Sequence, residues 1–300
     1  MRFGLVGTGH WARVTHAVAL SREPAVDFAG VWGRDPVRAA ELAEEFGVRS
    51  YPEYESMLED VEAVAFSVPP DVQADLAVRA ARAGRHLLLE KPIATSPSAA
   101  RHLEAAVEEA GVASVVFFTT RFFESHREWL ADAARTGGWR GGWALWIASA
   151  FAPGSPYGAS AWRREKGALW DVGPHALSIL SPALGSVVGV TADAGAGDLV
   201  HLVLHHQGGA TSTVSMTLGA PPEAGHVEVT LWGASGLSTM PPGSTSPEDA
   251  LCVALQELVE CAATGECSHP CDVHFGRHVV ELLAQAEHSI AGSPTAHESA

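Results

Sequence analysis

A chain of 300 residues with 47 % hydrophobic and 18 % charged residues has enough apolar surface for a sizeable core, and its length suits two domains rather than one. A formal net charge of −16 argues against a nucleic-acid backbone or an anionic membrane surface as partner, so any anionic ligand must be held by local cations. Four cysteines do not make a disulfide framework, no apolar stretch approaches the roughly 20 residues that span a bilayer, and Phe3 opens a strand with no secretory or transit segment before it, so a reducing cytoplasm is the expected location.

Up to about residue 119, short apolar runs alternate with helical stretches. The runs are Phe3–Val6, Phe28–Trp32, Ala63–Val68, His86–Leu89 and Ser114–Thr119, and segments such as Asp71–Ala83 and Ser98–Ala110 separate them. This alternation predicts a parallel sheet covered on both faces. Asp35-Pro36 supplies a cap and a first-turn proline to a helix that ends before Gly47. From Arg121 the rhythm changes. A helix near Glu124–Arg135 leads to an apolar strand at Trp143–Ala150, a Gly/Pro/Ser loop at Ala152–Ser160 and a helical stretch near Asp171–Leu184. Extended segments follow: Val214, Met216 and Leu218 alternate with Thr211, Thr213, Ser215 and Thr217, and Val227, Val229 and Leu231 repeat the period of two. Successive strands of this kind predict an antiparallel sheet with one face on a core. Two helices, near Pro247–Thr264 and Asp272–Ala291, close the chain before a frayed end at Ser293–Ala300. The expected domains are 1–119 and 120–300, with a hinge near Thr119–Phe122.

Gly7-Thr8-Gly9-His10-Trp11-Ala12 follows the first strand and opens a helix, which is the G-x-G-x-x-A pattern in the context its chemistry requires. The glycines permit a tight turn and close approach of a pyrophosphate, whose charge then meets unpaired N–H groups of the helix start. An acid ending the second strand would bind both ribose hydroxyls of NAD and repel the 2′-phosphate of NADP. Gly33 occupies that position and leaves room, Arg34 follows as a planar cation suited to phosphate, and Arg38 lies one turn on. Asp35 competes as the ribose acid, but its place before Pro36 makes it a helix cap first. The pattern favours NADP over NAD. Farther on, Leu87-Leu88-Leu89-Glu90-Lys91-Pro92 ends a buried strand on a charge, in the crevice where ligands of open α/β sheets bind. Taken alone, Lys91 reads as well as a solvated loop lysine.

Asp171 and His175 are four apart and would share one face of a helix, where a carboxylate supports a proton-transferring imidazole. Gly173-Pro174 allows another arrangement, with the helix starting at Pro174 and Asp171 in the lead-in. By spacing alone such a pair is more often structural than catalytic. The glycine turn, Glu90-Lys91-Pro92 and Gly167–His175 together, in this order and spacing, resemble the Gfo/Idh/MocA family of glucose–fructose oxidoreductase, inositol dehydrogenase and relatives. Arg121-Phe122 and Gly233-Ala234-Ser235-Gly236 match as well. The resemblance implies an α/β chain: an N-terminal Rossmann dinucleotide-binding domain, then an α/β domain with a broad, mostly antiparallel sheet that in relatives often forms the subunit interface of a homodimer or homotetramer. It implies hydride transfer between nicotinamide and a carbinol or carbonyl of a sugar, cyclitol or related polyol. Carried over by position, Lys91, Asp171 and His175 are the catalytic set, with Lys91 contacting the reacting hydroxyl and the nicotinamide ribose. Gly7, Thr8, Gly9, His10, Trp11, Ala12, Gly33, Arg34, Arg38, Pro69, Glu90 and Lys91 surround the cofactor. Arg121, Trp162 and Arg163 join Lys91 and His175 around the substrate.

Three departures stand out: Gln73 where the family usually has histidine, Ser178 and Ile179 where it often has an acid, and Gly167-Ala168 in place of a fuller glycine run. They leave the reaction class standing and put a familiar sugar or inositol substrate in doubt. Cys261, Cys267, His269, Cys271 and His274 crowd together without the paired spacing of structural zinc sites, so no metal is expected. His201 and His205 share a strand face and read as surface or interface, and Trp139, Trp143 and Trp146 as packing at a domain junction or subunit contact. Two other functions compete: a glycosidase or lyase that retains its nicotinamide, and a non-catalytic dinucleotide sensor. The acid–base set Lys91, Asp171 and His175 counts against the sensor.

Overall fold

The computed structural model describes residues 1–265 and 268–292; Cys267 and the chain end at Ser293–Ala300 lie outside the described residues. Two compact units form, Met1–Glu124 with Gly243–Val280, and Ser125–Pro242 with the chain from Glu281.

In the first unit, β1 (Arg2–Val6), β2 (Asp27–Trp32), β3 (Arg49–Ser50), β4 (Ala63–Phe66), β5 (His86–Glu90) and β6 (Ser114–Phe117) form a sheet in the order β3-β2-β1-β4-β5-β6. Every pair is parallel. This is the doubly wound order whose ligand crevice lies beyond the strand ends, where β1 and β4 part. Phe3, Leu5, Val6, Leu87, Leu88 and Leu89 are fully buried, as strands covered on both faces must be. A π-helical turn at Ala12–Ala17 runs into α1 (Val18–Arg22), and α2 (Pro36–Phe46), α3 (Tyr54–Asp60), α4 (Pro70–Arg82) and α5 (Pro97–Ala110) complete the crossovers. Asp35 caps α2 by accepting the N–H groups of Val37 and Arg38 at 3.0 and 3.2 Å. β3 and α3 do not stand out in the sequence, because a two-residue edge strand and a seven-residue helix carry too little periodicity.

In the second unit, α6 (Glu124–Thr136) leads to β7 (Trp139–Ile147), and α7 (Ala161–Asp171) and α8 (Gly173–Leu184) follow in tandem. β8 (Val187–Ala194), β9 (Val200–His206), β10 (Thr211–Thr217), β11 (His226–Gly233) and β12 (Gly236–Thr239) then build a sheet in the order β12-β11-β7-β10-β9-β8. All pairs are antiparallel except β7 with β10. Ala144, Trp146, Leu202, Leu204, Val214, Met216, Val229 and Leu231 are buried on one face. The register aligns His205, Thr211, Gly141, Trp232 and Leu237 on the other, with Val203 beside them. Trp232 lies over Gly141, where a Cβ would come within 2.7 Å of the indole nitrogen.

The last helices are α9 (Pro247–Thr264) and α10 (Val273–Gly292). A division at residue 119/120 leaves both with the second domain, but Gly243–Val280 clusters with the first unit. The stripe Ala250, Leu251, Ala254, Leu255 and Leu258 is buried there, and Gln256 donates to Glu23 at 2.8 Å. An amphipathic stripe records that a helix is buried but not against which core. No helix among the described residues is long and apolar enough to cross a membrane.

Gly30 is the position where backbone crowding in the first sheet is greatest. A Cβ there would lie 2.1 Å from the Arg49 carbonyl oxygen. Gly30→Ala should therefore lower unfolding stability by about 1–3 kcal/mol, read from a chemical denaturation midpoint.

Candidate active site

The glycine turn is built at the ends of β1 and β4. The Gly7 N–H donates to the Trp32 carbonyl at 3.0 Å, and Gly7 adopts φ +129° with its missing Cβ directed 2.2 Å from the Ser67 carbonyl oxygen. Gly7 is thus required by the protein's own backbone. A Cβ on Gly33 would come 2.7 Å from the Thr8 methyl, a side-chain contact, so the room expected there for a phosphate is lined by Thr8. Gly9 differs. It is exposed, and a Cβ on it would meet nothing within 4 Å among the described residues. Packing does not call for glycine at that point, whereas a diphosphate lying against the backbone does. The helix starts at once, with Arg13 N–H bonded to the Gly9 carbonyl at 3.1 Å, so the N–H groups of its first turn have no helical acceptor. The turn fits a dinucleotide. Arg34 and Arg38 are exposed beside it; Arg38 Nε lies 3.6 Å from the Asp35 carboxylate, and Arg34 makes no ion pair among the described residues.

Lys91 follows β5 directly and is half-buried, and the Lys91–Pro92 peptide is cis. Around it, the Glu90 carboxylate accepts the Trp11 indole N–H at 2.6 Å and the Lys91 backbone N–H at 3.3 Å. His16 Nε2 lies 3.4 Å from the same carboxylate. His16 is fully buried, and burial lowers its pKa to about 4 against a smaller opposing contribution from the Trp11 backbone. Gln73, also fully buried, bonds the backbone of Glu90 on both sides. Pro69 precedes α4 and accepts the Gln73 N–H at 2.9 Å, and Arg121 is half-buried in a single turn after β6.

The second unit brings the other candidates together at the joint between α7 and α8. Gly167, at φ +64° and ψ −163°, breaks α7 internally, and Asp171 ends it. α8 starts at Gly173 with Pro174 in its first turn, so Asp171 and His175 flank a joint and do not share one continuous helix. Asp171 is buried and accepts Arg163 Nε at 2.9 Å. The Arg163 guanidinium lies over Tyr157 and Trp162 at 4.8 and 4.7 Å from the ring centroids. The His175 imidazole stacks on Trp146 at 5.3 Å with 12° between planes. Ser178 donates to the His175 carbonyl and Ile179 is in the core, so neither replaces the acid expected near them.

The Trp11–Glu90, Gln73–Glu90, Arg163–Asp171 and Trp146–His175 contacts escape sequence reasoning. The nearest signal was the buried phase of β7, which pairs Trp146 with Ala144. Of the histidines near Cys271, His269 bonds Glu257 at 2.9 Å and stacks on Phe122, while His274 bonds Glu104 at 2.8 Å.

A family model described as an oxidoreductase family with an NAD-binding Rossmann fold matches residues 1–118. D-xylose 1-dehydrogenase (NADP(+)) 2 of Haloferax volcanii is 30% identical over 239 residues, which is 74% of this chain and 70% of that protein. A dTDP-3,4-didehydro-2,6-dideoxy-alpha-D-glucose 3-reductase of Streptomyces antibioticus is 31% identical over 193 residues, or 61% of this chain, and the match spans 58% of the reductase's length. Among solved structures, GenD2 from gentamicin A biosynthesis, in complex with NAD, superposes with a TM-score of 0.83 at 24% identity, over 97% of this chain and 94% of that one. The chain belongs to the Gfo/Idh/MocA oxidoreductase family.

The buried His16 makes the fold acid-sensitive. Its pKa in the folded protein, about 4, lies below the ordinary 6.5, so the unfolded chain takes up the proton first as pH falls. Its contribution is complete above pH 6.5 and is lost towards pH 4, by up to about 3 kcal/mol. Denaturation midpoints measured across that range should fall for the natural protein and flatten for His16→Leu.

Proposed function

We propose that the protein is an NAD(P)-dependent dehydrogenase or reductase acting on a carbinol or carbonyl of a sugar, cyclitol or related polyol. The observation that carries this reading is the Trp11–Glu90 bond, which ties the helix of the glycine turn to the strand end presenting Lys91. A dinucleotide bound on that turn supplies the two-electron acceptor or donor. Lys91 Nζ, a point cation, stabilises alkoxide character on the reacting oxygen. His175 takes the hydroxyl proton in oxidation and returns it in reduction. Asp171, paired with Arg163, balances the imidazolium that results, and Trp146 holds the ring plane. Arg163 therefore acts through Asp171, while Trp162 and Arg121 remain the candidates for direct contact with the polyol. The xylose dehydrogenase and the didehydro-dideoxyglucose reductase support a sugar-like substrate.

Arg34 and Arg38 on the exposed start of α2 support NADP as the preferred dinucleotide, with Asp35 occupied as a cap. The uncovered sheet face, where Val203, Trp232 and Leu237 are 40, 43 and 70 % exposed, supports a homodimer or homotetramer through that surface. The free thiol at Cys252 supports a reducing, cytoplasmic location.

The test is a panel of polyols, sugars and keto-sugars followed by nicotinamide absorbance with both dinucleotides. With a substrate from that panel, Lys91→Met should lower kcat by about 10²-fold or more while dinucleotide affinity is kept. Full turnover in that variant would remove the mechanism. Arg34→Ala should weaken NADP by about tenfold relative to NAD, and equal affinities before and after would reassign the phosphate contact.

A further inference from the structure

β4 and β5 pair as far as Ala65 with Leu88, but β4 ends at Phe66 while β5 continues to Glu90. In a parallel pair the residues flanking Ser67, the Phe66 carbonyl and the Val68 N–H, would serve Glu90, and β4 has already ended at Phe66. The N–H and carbonyl of Glu90 on that side must therefore find partners other than a strand. Both are supplied by one side chain. Gln73 Oε1 accepts the Glu90 N–H at 2.8 Å and Gln73 Nε2 donates to the Glu90 carbonyl at 2.8 Å. The same Nε2 lies 3.4 Å from the Pro92 carbonyl and 3.5 Å from that of Ile93. Gln73 is fully buried on the first turn of α4, where its own N–H is bonded to Pro69.

We propose that Gln73 is a positioning residue for Lys91: its carboxamide stands in for the missing strand groups and sets the backbone on both sides of the lysine. The inference rests on the catalytic role given to Lys91 above. Only a planar group with a donor and an acceptor side by side meets both demands. Leucine offers neither, an ionised glutamate offers no donor, and asparagine is one methylene short. Histidine, with its two ring nitrogens, offers both. Histidine, the residue that the family resemblance leads one to expect at this position, therefore meets the same two backbone demands as Gln73.

The experiment compares Gln73→Leu, Gln73→Glu and Gln73→His with the natural protein in the full chain. Hydrogen exchange without cofactor, read on a peptide covering residues 86–93, should show the Glu90 amide exchanging at least about tenfold faster in the first two, with β1 unchanged and Gln73→His restoring protection. In the dinucleotide assay with a substrate from the panel, kcat should drop about 10- to 100-fold in Gln73→Leu and Gln73→Glu. KM and dinucleotide affinity should stay within about threefold, and Gln73→His should recover most of kcat. If Gln73→Leu does not fold, Gln73→Glu, of the same shape, decides by the same two measurements. Unchanged exchange at Glu90, unchanged kcat, or a loss of dinucleotide affinity as large as the loss of kcat overturns the proposal. Lys91→Met in parallel separates the two readings: full activity there removes the role of Lys91 itself, whereas an inactive Lys91→Met beside fully active Gln73 variants removes only the role of Gln73.

Discussion

Parallel strands that stop at a ligand crevice leave polar backbone without a neighbour, and the groups that fill those vacancies decide what the crevice can do. At the end of β5 the backbone is completed by a carboxamide from α4, and the side chain of Glu90 is completed by an indole from the helix of the glycine turn. Trp11 and Glu90 are 79 residues apart in sequence. Their 2.6 Å bond therefore makes the position of a lysine on one strand depend on the start of a helix that follows another. The Glu90 side chain is 12 % exposed, and the fully buried His16 lies 3.4 Å from its carboxylate.

The second unit solves a different problem with the same economy of parts. A buried carboxylate must be paired or it protonates. Asp171 is paired by an arginine eight residues earlier, which reaches it because Gly167 breaks the helix between them. The guanidinium of this arginine in turn lies over two aromatic rings, Tyr157 and Trp162. On a chain of net charge −16, Arg163 is a local cation that pairs this buried carboxylate.

Most of the fold was legible from residue types. The Asp35 cap, the alternation of Thr211–Leu218 and the apolar run ending at Glu90 all appear in the structure where the periodicities place them. What was not legible has common causes. α7 is short, charged and interrupted by Gly167, so its pattern was hidden within a loop-like stretch. α9 shows its stripe plainly and still gives no sign of which core takes it. Within the candidate site, the residue types could be read but their pairings could not, since Trp146 with His175 and Gln73 with Glu90 depend on three-dimensional register. Gln73, where the family usually has histidine, read in the sequence as a departure at the cofactor rim or substrate pocket, and in the structure its carboxamide bonds the backbone of Glu90.

The three glycines around the phosphate turn also answer to different masters. Gly7 faces a carbonyl oxygen and Gly33 a methyl group of the same chain, so a side chain at either one collides with the protein itself. Gly9 faces only solvent and the space a ligand would take. Gly7 therefore answers to the folding of the chain itself, whereas no packing among the described residues calls for glycine at position 9. A methyl group would disturb the turn at the first of these positions and pass unnoticed by the protein's own atoms at the second.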